Sequence, residues 1–437
     1  MCASDRSPDV PPEPPPAPRT LWLAIVLAGV AVGGLSVCFH AALDEALALR
    51  EQLGEWAKPF GIAGALLLCA VCAAAVGVAV WMTGRFAPQA AGSGIQHVEG
   101  VERGLLPLWP LSLLWVKFVG GVLGIGGGLV LGREGPTVQM GSSIAEHIGQ
   151  RFALPWDARR ILLAVGAGAG LAGAFDAPLA GTLFVLEELK CALRPALYLG
   201  TLLASLLTDL CVRFYLGPAP ELSLASALPP LAALLPVALI GALAGALGVL
   251  FNASLLRALA AADRWKQRIP AWAFGAGLGA GLGVVAWFVP ALPGGGVTFA
   301  ASMLDGEVTP SAALWLLPLS IVLTIASYAI GAPGGIFAPL LVIGAALGLV
   351  FHGGLHAWLP ASAGAMPVFA AAGMAGLFAG IVRSPLTGSL LLIEMTGSYD
   401  LVLPLVLASL AAYAVAEALH SPPIYESLLE RELRKLG

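Results

Sequence analysis

The placement of charged residues constrains this chain more than any other feature of its sequence. Several long stretches contain no Asp, Glu, Lys or Arg: Leu21–Leu43, Pro59–Gly84, Leu222–Leu256, Ile269–Leu304 and Val308–Val382. At 1.5 Å per residue, an α-helix needs about 20 such residues to cross roughly 30 Å of hydrocarbon. The sequence therefore predicts an all-α polytopic membrane protein, and the last stretch is long enough for several helices.

The small number of charges also excludes other classes of protein. Only 11% of the 437 residues are charged, whereas an average soluble domain carries about 25%. The 22 basic and 26 acidic residues give a net charge of −4, so no basic field indicates nucleic acid binding. The alternating pattern of a membrane β-barrel is absent. An ordinary cytosolic enzyme, a nucleic-acid binder and a disordered chain are thereby excluded.

Two sequence segments indicate an internal duplication. Gly170–Leu189 resembles Gly376–Met395, and Gly132–Gly141 resembles Gly335–Gly344, in the same order and at nearly the same offset. The predicted domains follow from this: a disordered Pro-rich cytoplasmic tail at 1–20, repeat 1 at 21–217, an inter-repeat loop at 218–228, repeat 2 at 229–420, and a cytoplasmic C-terminal helix at 421–437. Each repeat also contains an apolar segment of only 10 residues, about 15 Å as a helix, which is typical of broken helices around a site at the membrane midplane.

The distribution of Lys and Arg predicts the orientation in the membrane. Basic residues cluster at 257–268, at 190–194 and at 431–435. Cytoplasmic loops carry an excess of such residues, so we place these clusters and both termini in the cytoplasm. The acidic segment Asp44–Glu55 is predicted to be an external loop.

Three glycine-bracketed motifs indicate where an ion could bind. They are Gly92-Ser93-Gly94-Ile95, Gly132-Arg133-Glu134-Gly135-Pro136, and the segment from Gly334 to Pro339 that reads GGIFAP. Each is predicted to lead into a helix, whose first N–H groups are unpaired and carry a partial positive charge. Several such ends together would bind an anion without a full positive charge and would still release it.

The motifs GSGI, GREGP and GGIFAP, in this order and followed by a C-terminal Tyr, resemble the CLC family of chloride channels and chloride/proton antiporters. The resemblance covers about residues 21–430 and is most specific in the pair GREGP and GIFAP. It implies a CLC-type fold of two inverted repeats with tilted and broken helices. It also implies a homodimer with a separate pore in each subunit, in a bacterial inner membrane.

The resemblance implies a role for particular residues. The hydroxyls of Ser93 and Tyr425 and the backbone N–H groups of Ile336 and Phe337 would bind chloride. Glu134 would be the outer gate, and Glu188 the inner residue that transfers protons. Supporting positions in the motifs are Gly92, Gly94, Gly132, Arg133, Gly135, Pro136, Gly335, Ala338 and Pro339. Gln96 departs from the family, which commonly has Pro after GSGI, and this bears on anion selectivity.

The residues by themselves also permit structural interpretations. Ser93 could be only a helix N-cap, Tyr425 an interfacial aromatic residue, and Glu134 a cap paired with the neighbouring arginine. Glu188 could be a solvated helix end, which is the interpretation we prefer for Glu187. Glu394, at the same position of repeat 2 as Glu187, is expected to serve in packing.

The predicted function is a secondary active transporter that exchanges chloride for protons. A passive CLC-type chloride channel is the alternative, and a polytopic membrane enzyme is a remote one. The sequence has no GxSxG, HExxH or P-loop motif, and we predict no enzymatic activity, no cofactor and no metal site. The expected partners are chloride, protons, the lipid bilayer and a second copy of the chain.

Overall fold

The described part of the chain is helical. The computed structural model describes residues 18–191, 194–217, 222, 233–294, 296–358 and 366–436. Within these ranges there are seventeen α-helices, and the only β-structure consists of two isolated bridges. Nine of these helices are long and apolar enough to cross a membrane. The predicted class of all-α polytopic membrane protein is confirmed.

The helices divide between the two repeats. Repeat 1 contains α1 (Pro18–Ala57), α2 (Ile62–Phe86), α3 (Ile95–Glu102), α4 (Ser112–Gly126), α5 (Glu134–Arg151), α6 (Trp156–Phe175), α7 (Pro178–Glu187) and α8 (Pro195–Leu216). Repeat 2 contains α9 (Leu234–Lys266), α10 (Ala271–Phe288), α11 (Val297–Leu304), α12 (Pro310–Ala329), α13 (Phe337–Trp358), α14 (Met366–Val382), α15 (Pro385–Thr396) and α16 (Val402–Ala418). Helix α17 (Ile424–Leu436) follows repeat 2. The predicted inter-repeat loop at 218–228 lies outside the described residues, apart from Leu222, and so do residues 1–17 of the predicted tail.

Helix α1 is longer at both ends than the sequence predicted. It begins at Pro18 rather than after residue 20, because proline is well suited to the first turn of a helix. The prediction that Asp44–Glu55 forms an external loop is wrong, since α1 continues through this segment to Ala57. Most of the segment consists of Ala, Leu, Glu and Arg, which are strong helix formers. At 40 residues, α1 is about 60 Å long, so its charged end extends beyond the apolar layer.

The same close helix packing occurs in both repeats. In repeat 1, a Cβ at Gly141 of α5 would lie 2.4 Å from the carbonyl oxygen of Gly166 in α6. In repeat 2, a Cβ at Gly344 of α13 would lie 2.6 Å from the carbonyl oxygen of Gly373 in α14. Only glycine permits such contact between two helix backbones. The duplicated sequence therefore gives a duplicated helix pair.

The short helices α7 and α15 pack against each other, one from each repeat. Glu187 at the end of α7 accepts a hydrogen bond of 2.7 Å from the N–H of Thr387 in the first turn of α15. Glu394 near the end of α15 accepts one of 2.7 Å from the N–H of Ala180 in the first turn of α7. The end of each helix thus meets the start of the other, as inverted repeats require.

Glu187 is therefore not the solvated helix end that the sequence suggested. Its carboxylate binds the unpaired N–H groups of a helix N-terminus, where the helix dipole also favours negative charge. Glu394, expected to serve in packing, makes the equivalent hydrogen bonds in the other direction. Together the two glutamates join the repeats where their broken helices meet.

Helices α6 and α14 form the centre of the molecule. Every residue of Leu162–Phe175 and of Val368–Val382 is buried. A helix that is apolar on all sides is expected in such a position. These two helices support the short helices and loops of the site.

Candidate functional site

The first turns of α3, α5 and α13 meet inside the molecule, and backbone hydrogen bonds join the loops that precede them. The N–H of Gly132 donates to the carbonyl of Gly335, and the N–H of Gly335 donates to the carbonyl of Gly132, both at 2.8 Å. The N–H of Gly92 donates to the carbonyl of Ala332 at 3.0 Å. The three glycine-bracketed motifs thus lie at one place, with α3 and α5 from repeat 1 and α13 from repeat 2.

Two glycines permit the close approach of α3 and α5. Gly94, at the N-cap of α3, has a φ of 87°, in the left-handed region that favours glycine. A Cβ there would lie 2.1 Å from Oε1 of Gln139 in α5. A Cβ at Gly135 would lie 2.6 Å from Oγ of Ser93. The motif glycines therefore bring Ser93 against the first turn of α5.

Glu134 is the first residue of α5, and its carboxylate lies at the start of α13. The side chain is fully buried, and Oε1 accepts a hydrogen bond of 2.7 Å from the N–H of Phe337. The backbone N–H of Ala338 also acts on this carboxylate. A negatively charged group thus occupies a helix N-terminus, which is a general place for anions to bind.

The slot around the Glu134 carboxylate has no room to spare. A Cβ at Gly132 would lie 2.0 Å from Oε2, and a Cβ at Gly335 would lie 2.1 Å from Oε1. Oε2 has no hydrogen-bond partner among the described residues. The carboxylate is held by one of its two oxygens and by the shape of the slot.

Ser93 and Tyr425 provide two hydroxyls beside this slot. Both residues are fully buried, and neither hydroxyl has a hydrogen-bond partner among the described residues. The Ser93 hydroxyl lies close enough to act on the Tyr425 phenol. The Tyr425 ring packs edge-on against Phe337, with ring centroids 5.8 Å apart. Because buried hydroxyls normally have a partner, these two are free to donate to a bound anion.

The backbone positions expected to bind chloride lie at the same helix start. Ile336 is buried immediately before α13, and Phe337 is the first residue of the helix. In this structure the Phe337 N–H is occupied by the Glu134 carboxylate. The structure therefore brings together Ser93, Tyr425 and the start of α13, with Glu134 as the group that takes the N–H.

Lys117 supports the loop that carries Ser93. Its side chain is fully buried in α4, and Nζ donates to the carbonyl oxygens of Ala90 at 3.0 Å and Gly92 at 2.7 Å. The buried ammonium thus both fixes the loop and places a positive charge next to it.

Glu188 lies on the other side of the hydroxyls from Glu134. It follows the last residue of α7, is buried, and accepts a hydrogen bond of 2.9 Å from Oγ of Ser384. The charges of Glu188 and Glu134 both act on the Tyr425 hydroxyl. The positive-inside assignment puts Glu188 towards the cytoplasm, so two buried carboxylates lie on either side of the candidate anion site.

A cavity of about 350 Å³ opens next to the gate on the opposite side from Glu188. Its lining includes Gly132 and Arg133 of the gate motif together with His40, Asp44 and Asp176. Nε of Arg133 donates to a backbone carbonyl of α6 at 2.9 Å, which agrees with the structural role expected for it. Sequence reasoning missed the other three residues, although His40 and Asp44 lie four apart on α1 and so share one helix face.

The arrangement suits the binding of an anion and not of a cation. It offers backbone N–H groups and hydroxyls, and no group of three or more His, Cys, Asp and Glu in the described ranges could hold a metal ion. A carboxylate that leaves the slot would vacate one anion position, and it would leave most easily when protonated, because protonation removes its charge.

Comparison with known proteins gives a consistent result. The family described as voltage gated chloride channel matches residues 75–417. The H(+)/Cl(−) exchange transporter ClcA of Vibrio cholerae is 37% identical over 430 residues, which cover 95% of this chain and 90% of the relative. The relative of the same name from Cronobacter sakazakii is 36% identical over 96% of this chain and 91% of its own length. The solved structure of a slow cyanobacterial Cl−/H+ antiporter superposes with a TM-score of 0.90 at 36% identity, covering 96% of this chain and 99% of that one.

Proposed function

The chain belongs to the voltage-gated chloride channel (CLC) family, and we propose that it is a secondary active transporter that exchanges chloride for protons across a membrane. The relatives that it matches over nearly its whole length are named as exchangers. The observation that carries the proposal is the carboxylate of Glu134, which takes the Phe337 N–H that an anion would use. A group that competes with the anion and also carries a proton couples the two ions.

Chloride would bind between the two carboxylates. The Phe337 N–H, once vacated, and the Ser93 and Tyr425 hydroxyls are the donors, with Ile336 beside them. Burying a bare anion costs tens of kcal/mol on Born arithmetic, so several donors are needed. None of them carries a full charge, so chloride would be held and still released.

Glu134 would act as the outer gate and as the outer proton carrier. Charged, its carboxylate accepts the Phe337 N–H and blocks the slot. Protonated, it loses most of its attraction to the helix N-terminus and leaves towards the cavity lined by Arg133 and Asp176. Each opening of the slot thus requires the uptake of a proton.

Glu188 would transfer protons on the cytoplasmic side. It lies away from the donors proposed for chloride, and its partner is the Ser384 hydroxyl. Protons and chloride would therefore share the region of Glu134 and separate towards the cytoplasm. The presence of a carboxylate here favours an exchanger over a passive channel.

We also propose that the protein is a homodimer in a bacterial inner membrane, with both termini in the cytoplasm. The adjacent helices α7, α8, α15 and α16 expose apolar side chains, among them Leu179, Leu210, Phe214, Leu386 and Leu403. A second copy would cover this face. Light scattering of the detergent-solubilised protein is expected to give the mass of two chains, and the mass of one chain would contradict the proposal.

Proton movement driven by chloride tests the proposed exchange. Purified protein is placed in liposomes loaded with chloride, and the pH of a low-chloride external solution is recorded. Outward movement of chloride is expected to drive protons into the liposomes, so the external solution becomes alkaline. Chloride efflux without a pH change would indicate a passive channel.

A further inference from the structure

Gln96, which replaces the usual proline after GSGI, connects the anion-site loop with the C-terminal helix. Its side chain is buried in the first turn of α3. It makes side-chain hydrogen bonds with Tyr328 of α12 and with Glu432 of α17. The Tyr328 hydroxyl in turn accepts a hydrogen bond of 3.3 Å from the N–H of Ser93. The departure from the family pattern thus coincides with a polar network next to the anion site.

Glu432 is the acidic member of this network. Its Oε2 lies 3.1 Å from Nε2 of His97 in α3, and only 25% of its side chain is exposed. It lies seven residues after Tyr425, so both share one face of α17, about 10 Å apart along the helix axis. A charge on Glu432 is therefore close enough to be felt at the anion site.

Glu432 is also a counter-charge for Lys117. Its carboxylate acts on the buried ammonium, and the ammonium acts on the carboxylate. Lys117 donates to the carbonyl of Gly92, immediately before Ser93. The positive charge beneath the anion site is thus partly neutralised by a carboxylate on the cytoplasmic helix.

We propose that Glu432 tunes the affinity of the anion site from the cytoplasmic side, and that its protonation unmasks the charge of Lys117 and strengthens chloride binding. This inference rests on the proposed anion site at Ser93 and Tyr425. It adds a second, inner place where proton and chloride binding are linked, because any effect of the proton on chloride affinity is matched by an equal effect of chloride on proton affinity.

Glu432 is suited to titrate near neutral pH. Neither α3 nor α17 is among the candidate membrane spans. Burial raises the pKa of Glu432 to about 6. Burial and the charge of Lys117 lower the pKa of His97 to about 4, so His97 is neutral at pH 7 and donates through Nε2. Cytoplasmic acidification through pH 6 would therefore neutralise Glu432 while His97 stays uncharged.

The other groups that face Glu432 keep their charge across this pH range. On its own helix these are Arg431 and Lys435, both of which are also bound by Asp263 of α9. Tyr328 of α12 is a phenol and stays neutral. The step expected near pH 6 therefore belongs to Glu432 within this cluster.

The size of the effect follows from Coulomb's law. For two unit charges about 10 Å apart, removing one changes the affinity roughly twofold at the dielectric constant of water and about fifteenfold at an effective dielectric constant of ~20. Because Glu432 is partly exposed, we expect a change of about threefold.

Chloride binding to the purified full chain tests the proposal by titration calorimetry between pH 5 and pH 8. All variants carry Glu134→Gln, so that the gate cannot titrate. With Glu432 present, the Kd for chloride is expected to fall about threefold from pH 7.5 to pH 5, with a midpoint near pH 6. With Glu432→Gln, which keeps the shape and the hydrogen bonds, the Kd at pH 7.5 should already be about threefold lower, and this step should be missing.

Two further variants separate this role from a general one. Glu430→Gln removes the same charge from an exposed position of α17 that pairs with Arg434, and it should leave the step unchanged. Gln96→Leu removes a hydrogen bond that favours the charged carboxylate, so the midpoint should move to higher pH. A purely structural role would not move the midpoint.

The outcomes also distinguish this proposal from the proposed function. An unchanged or weaker chloride affinity in Glu432→Gln, or an unmoved midpoint in Gln96→Leu, would overturn the role of Glu432. Chloride-driven proton movement by the wild-type protein would leave the exchange function standing in that case. Conversely, a step without any exchange would leave the role of Glu432 standing and remove the exchange.

Discussion

A single added methyl group should force the gate open. In Gly132→Ala, the new Cβ would lie 2.0 Å from Oε2 of Glu134 and 2.7 Å from its Cδ and Oε1, and these are the three atoms nearest to it. Gly132 does not have a left-handed backbone conformation, so alanine is compatible with its φ. The conflict is therefore with the gate side chain, which must leave its slot although it remains ionisable.

The free energy needed to leave the slot follows from the interactions that hold the carboxylate there. The hydrogen bond from the Phe337 N–H to the charged carboxylate contributes about 1.5–3 kcal/mol. The favourable position at a helix N-terminus adds about 0.3–2 kcal/mol. An alanine that removes both, about 2–5 kcal/mol together, should reduce the population of the seated carboxylate at least ~30-fold. Chloride should then enter the slot without displacing Glu134.

Chloride and proton fluxes in the same liposomes measure the outcome. We expect Gly132→Ala to move chloride at least as fast as the wild type and to move less than about one-tenth as many protons per chloride, in line with the population change. Gly281→Ala is the matched control, because a Cβ at that position of α10 meets nothing within 4 Å. If Gly132→Ala keeps the proton-to-chloride ratio of the control, the slot occupied by Glu134 is not the coupling position.

Three further substitutions test individual residues of the site. Glu134→Gln imitates the protonated gate, so chloride flux should persist, lose its dependence on external pH and drive no protons; uphill proton movement by this variant would refute the gate. Glu188→Gln fills the same space without carrying a proton, so proton movement should stop while chloride flux, read in the same vesicles, continues. Ser93→Pro removes the hydroxyl and the N–H that binds Tyr328, so nitrate transport should rise relative to chloride, and an unchanged ratio would contradict the role of the hydroxyl.

Local sequence patterns predicted the broken helices well. The glycine motifs lead into α3, α5 and α13 as expected, because the signals for a helix start lie within a few residues of it. The length of α1 was predicted less well, because the charges of Asp44–Glu55 indicated a loop although the segment is rich in helix-forming residues. Charge marks exposure to water and does not by itself end a helix.

Contacts between distant segments could not be predicted in the same way. Glu187 and Thr387 are 200 residues apart, and nothing local to either indicates the hydrogen bond. The equivalent position of Glu187 and Glu394 in the two repeats was a usable signal, since inverted repeats place equivalent helix ends against each other. The network of Gln96 and Glu432 had no such signal, because its members come from helices that the duplication does not relate.

The membrane potential at which net ion movement stops tests the exchange of chloride for protons most directly. It is measured in liposomes with a fixed chloride gradient and a series of pH gradients. Because every turnover would move both ions, the account predicts that this potential shifts steadily with the pH gradient. A potential that stays at the equilibrium value for chloride at every pH gradient would contradict the account and identify a passive chloride channel.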